Sequence, residues 1–77
     1  MRSSFDTMLG ILFGVVEEQY TNGVNPNNLY TRIQKLKNDI ITLYNSDELD
    51  HREYVTLYNT AVVIQKEIKK LTETGGT

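Results

Sequence analysis

The sequence has no cysteine, which excludes disulfide stapling, thiolate metal sites and cysteine nucleophiles together. Its one histidine, His51, cannot alone build a zinc site or a conventional catalytic triad. Charge of one sign is also lacking. Eight Lys and Arg against ten Asp and Glu leave a formal net charge of -2, which disfavours nucleic acid as a partner because DNA-binding domains usually carry a basic excess. No apolar run reaches the about 20 residues that a bilayer demands. The longest, Met8 to Val16, is preceded by Asp6 and ended by Glu17-Glu18, and no small-residue cleavage pattern follows it at Gln19-Tyr20-Thr21-Asn22. Neither a Walker loop nor a dinucleotide glycine fingerprint occurs.

What is present belongs to a small globular chain. Apolar residues make up 39% and charged residues 23%, ordinary values that argue against wholesale disorder. Seventy-seven residues suffice for one domain, and so short a chain barely offsets its ordering entropy by apolar burial. With disulfides excluded, tight helix packing or self-association must supply the rest, so a homodimer or larger assembly is expected. A cysteine-free chain fits a reducing cytosol, and a cytoplasmic location without membrane attachment is the corresponding expectation.

Two polar breaks, Thr21 to Asn28 and Asn45 to Asp50, divide the chain into three apolar-periodic segments. The fold class is therefore all-α: a single helical domain over 1–77, made of helix one and an antiparallel hairpin of helices two and three. Ser3 or Ser4 can cap helix one, at about 4–20. Asn25 before Pro26 starts helix two, at about 26–45, because an Asn side chain accepts from free amides and proline lacks none that the first turn needs. Asp50 and Glu53 have capping-box spacing and start helix three, at about 51–73, with a flexible tail at 74–77.

Helix two recurs apolar at Leu29, Ile33, Leu36, Ile40 and Leu43, and helix three at Tyr54, Leu57, Tyr58, Ala61, Ile64, Ile68 and Leu71. Lys66, Glu67, Lys70 and Glu73 fall largely off that stripe. Helix one is broader: Phe5, Met8, Leu9, Leu12 and Val16 form a stripe that Ile11, Phe13 and Val15 widen toward about 200°. That exceeds what one hairpin covers, so Phe5, Leu9, Leu12, Phe13 and Val16 are the expected oligomer-interface residues. Gly10 and Gly14 lie toward the opposite side, where a second helix could approach closely.

Few residues offer chemistry. Asp47, Glu48, Asp50, His51 and Glu53 are the densest group of ligand types, yet Leu49, His51 and Leu57 interrupt any EF-hand register, and capping with turn solvation explains the acids. No companion activates Ser3, Ser4 or Ser46. The chain is expected to be non-enzymatic, with no catalytic residue, metal or cofactor. Tyr44, Tyr54 and Tyr58 should gather near the second turn, where tyrosine suits both a core edge and a protein-binding patch. Arg32, Lys35 and Lys37, with Lys66, Lys69 and Lys70, read as solvated faces.

Leu29-Tyr30-Thr31-Arg32-Ile33-Gln34 and the helix-turn-helix pattern after it resemble segments of the small cytosolic immunity proteins that protect bacteria from pediocin-type peptides, which are longer four-helix bundles. The resemblance implies amphipathic helix packing and a protective binding role, and it assigns no residues. The Asn, Ile, Lys and Tyr usage is similar to that of phage or mobile-element proteins of low-GC bacteria. The leading expectation is an inhibitor or regulator that binds another protein. The alternatives are a small transcriptional regulator or nucleic-acid-associated protein, and an oligomeric small-ligand-binding protein.

Overall fold

The computed structural model describes residues 3–23 and 25–75, with side chains through residue 70 apart from those of 19, 20 and 22. Three helices follow in order: α1 (Ser4–Asn22), α2 (Pro26–Asn45) and α3 (His51–Gly75), with no strand among the described residues. Each start obeys the capping chemistry of its sequence. The Asp6 amide donates to Ser3 Oγ, the Asn27 amide donates to Asn25 Oδ1 with Pro26 in the first turn, and Asp50 and Glu53 form a reciprocal capping box. In that box the Glu53 amide donates to Asp50 Oδ1 at 2.8 Å and the Asp50 amide to Glu53 Oε1 at 3.1 Å.

The stops differ slightly from expectation. α1 continues to Asn22 because Gly23 adopts the left-handed conformation that closes a helix, with φ 60°. α3 continues through Gly75, so Thr74 and Gly75 of the expected tail are helical, while positions 76 and 77 lie outside the described residues.

The α2–α3 turn is a Schellman closure built without glycine. The Glu48 amide donates to the Leu43 carbonyl and the Asp47 amide to the Tyr44 carbonyl, with Asp47 left-handed at φ 63°. A side chain pays a steric penalty there that aspartate reduces and glycine lacks. Asp47→Gly is therefore expected to stabilise the fold by about 1 kcal/mol. A thermal melt by circular dichroism checks this: a few degrees' rise in melting temperature is expected, and an unchanged or lower one shows that the Asp47 carboxylate contributes more than its backbone costs.

Hydrogen bonds along the seams set the topology. Tyr44 stacks on Tyr54 at one end of the α2–α3 pair, and Gln65 reaches the Tyr30 carbonyl toward the other, so these helices run antiparallel. Ser4 Oγ donates to Glu48 and Arg32 pairs with Glu18, so α1 runs antiparallel to α2 and alongside α3. The bundle is up-down-up, 44 × 21 × 15 Å. Its core contains Met8, Leu12 and Val15 from α1, Leu29, Ile33 and Ile40 from α2, and Leu57, Ala61 and Ile68 from α3. Leu49 closes the turn end. It precedes the Asp50 cap by one residue and lies five before Tyr54, the spacing of a hydrophobic staple. The side chains of Leu71 and Glu73 lie outside the described residues.

Candidate functional site

The capping acids are structural in position: Asp50 and Glu53 spend their carboxylates on each other's amides. Among the described residues, no three of His, Cys, Asp and Glu come together as metal ligands. His51 is exposed, with Nδ1 3.3 Å from the Tyr44 hydroxyl. What remains as candidate site is surface, and two regions carry it.

The first lies between α1 and α3. At about 100° per residue, Met8, Leu12 and Val15 face the core, and the apolar residues beyond them spill to both flanks. Ile11, 42% exposed, borders α2 beside Leu36, Arg32, Lys35 and Asp39. On the other flank Phe13, Val16, Asn59, Thr60, Val63 and Ile64 line an open groove of about 390 Å³. Phe13 and Val63 are each 57% exposed. Among the described residues, none that lines it is charged.

The expected interface set divides accordingly. Phe13 and Val16 line the groove, and Phe5 and Leu9 are half-buried against the core. Leu12 requires a correction: it is fully buried inside its own chain, so it has no surface to offer a second copy. The reason is phase. The two neighbouring helices centre the buried arc of α1 on Met8, Leu12 and Val15, which leaves Phe13 outside it. An added Cβ at Gly10 or Gly14 would meet nothing within 4 Å, so among the described residues no helix uses either glycine for close approach.

The second region is the α2–α3 seam, where the three expected tyrosines do gather. Tyr44 and Tyr54 stack with centroids 4.4 Å apart and planes 17° from parallel, and Tyr58 follows Tyr54 at 5.7 Å. Lys37 Nζ stands 5.3 Å from the Tyr58 centroid, within cation–π range, and donates to Gln65 Oε1 at 2.9 Å. Gln65 is the residue that sequence reasoning missed. It is 5% exposed, lies on the core-facing side of α3, and its Nε2 donates to Gln34 Oε1 and the Tyr30 carbonyl. The available signal was its place four residues after Ala61 and three before Ile68, on the apolar stripe itself. Beyond Gln65, the seam opens into a shallow pocket lined also by Tyr30, Val62, Lys66 and Lys69.

No helix among the described residues is long and apolar enough to cross a membrane. No protein-family model, curated protein or solved structure matches the chain.

Proposed function

We propose that this chain is a non-enzymatic helical interaction protein that pairs with a second copy of itself through the α1–α3 groove and binds another protein as an inhibitor or regulator. The observation that carries the reading is the groove: Phe13 and Val63 stand more than half exposed on neighbouring helices, around an apolar depression with no charge among its described lining residues. Exposed apolar residues scattered singly need no explanation, whereas residues from two helices around one groove mark an interaction surface.

Charge selects the occupant. In a two-fold pair the same patch meets itself, so any uncompensated charge in it would face its own copy. Like charges so placed cost several kcal/mol, and an uncharged groove avoids that cost. Phe13 projects beside the depression it helps to line, which suits reciprocal insertion into a partner's groove. Burial there also supplements the small core of a 77-residue chain.

Sedimentation equilibrium tests the pairing. The native chain is expected at twice its 8.9 kDa mass. Phe13→Asp, which sets two carboxylates against each other across a two-fold, is expected to return the single-chain mass while the helical signal persists, and Val63→Asp should do the same. A native chain sedimenting at 8.9 kDa at every concentration removes the self-pairing.

A further inference from the structure

We propose that the α2–α3 seam is the docking surface for an acidic amphipathic helix of a different protein. The inference rests on the reading of the chain as a protein-binding module and names the chemistry of its partner.

The seam has the opposite electrostatic character to the groove. From Tyr30 to Tyr44 on α2 the one acid is Asp39, and from Tyr54 to Lys69 on α3 the one acid is Glu67. Asp39 borders the α1 side with Ile11 and Arg32, and Glu67, about 200° around α3 from the seam-lining Gln65, pairs with Lys70 at 3.5 Å. Lys37, Lys66 and Lys69 therefore line the seam without a carboxylate among the described side chains there. A chain with a net charge of -2 thus holds one cationic strip. A second copy of this surface would repel it, so its partner is non-identical and acidic.

The rings decide between an acidic protein and a nucleic acid. Single-stranded nucleic acids stack bases on free aromatic faces. In the seam Tyr44, Tyr54 and Tyr58 are engaged with one another and with Lys37, and the exposed Tyr30 beside Lys66 and Lys69 stands outside that ladder, a single ring rather than the run of platforms on which successive bases stack. The three ladder tyrosines are half-buried, and Ile41 and Val55 are partly exposed on the same two helices. Apolar side chains and carboxylates of a helix match that surface. The strip from Tyr54 to Lys69 is roughly 22 Å long at about 1.5 Å per residue, the length of a four-turn helix.

Fluorescence anisotropy with the full chain tests this. The probes are a labelled helix-forming peptide of about 15 residues carrying leucines at helical spacing with glutamates between them, the same peptide with lysines for glutamates, and a labelled oligothymidylate. The glutamate peptide is expected to bind about tenfold more tightly than the lysine peptide and to weaken as salt rises. Lys66→Glu combined with Lys69→Glu should reduce its binding about tenfold with an unchanged helical signal. Phe13→Asp, which addresses self-pairing alone, should leave peptide affinity as in the native chain even if that chain proves monomeric.

Equal binding of both peptides, or indifference to the lysine reversals, overturns the proposal. Loss of peptide binding in Phe13→Asp moves the site to the groove and overturns it as well. Tighter binding of oligothymidylate than of the glutamate peptide assigns the seam to nucleic acid instead.

Discussion

Leu12→Asp is expected to abolish the cooperative thermal melt and most of the helical signal, whereas Phe13→Asp, one residue along, is expected to leave the fold standing and to dissociate only the proposed pair. Leu12 is fully buried among residues of all three helices, and Phe13 is 57% exposed. Losing a buried leucine forfeits about 2–3 kcal/mol of burial. An unpaired carboxylate in its place adds several kcal/mol more, through desolvation or a forced protonation. A chain of 77 residues has roughly 4–12 kcal/mol of stability, and a small core places it toward the lower end. The two losses together consume that margin. Leu12→Ala provides the graded version, with an expected cost of about 2–5 kcal/mol and a correspondingly lower melt. Circular dichroism and sedimentation on the same samples separate the outcomes. A Leu12→Asp chain that stays folded and merely dissociates would put Leu12 at an interface and overturn the packing described above.

Gln65 yields the second large effect, and here the choice of replacement matters more than the site. Gln65→Ala removes the acceptor of Lys37 Nζ and the donor to Gln34 and the Tyr30 carbonyl, and it opens a void on the core side of α3. A net cost of about 2 kcal/mol is expected from the void and the lost hydrogen bonds. Gln65→Leu fills most of that volume. Each orphaned partner then has a fallback: Lys37 turns to water, Gln34 is exposed, and the Tyr30 carbonyl belongs to α2. Removing a polar group whose partners can all be satisfied elsewhere is close to neutral. The leucine variant should therefore melt within about 1 kcal/mol of the native chain. If it melts as low as the alanine variant, the polar network itself holds α2 to α3. If it does not, the glutamine serves chiefly to hold Lys37 over Tyr58, and its benefit lies in the seam.

Much of this was legible residue by residue. Ser3, the Asn25-Pro26 pair and the Asp50–Glu53 box announced all three helix starts, because capping is local chemistry between a side chain and amides within three positions. The gathering of Tyr44, Tyr54 and Tyr58 was legible for a similar reason: a short turn between antiparallel helices brings their adjoining ends together. Leu49 was harder to see. It sits in a polar break that reads as a solvated turn, and only the returning helix places it under the core.

The amino-acid order by itself determined the three helices, their caps, and the excess of apolar circumference on α1. Tertiary structure alone decided how that circumference is shared out, with Leu12 covered and Phe13 bare, Gln65 enclosed, and the lysines of two helices gathered on a strip with no acid among its described side chains. The physical reason is that helical periodicity specifies which side chains lie on the same stripe, while the position of the buried arc around each helix depends on where its two neighbours pack against it.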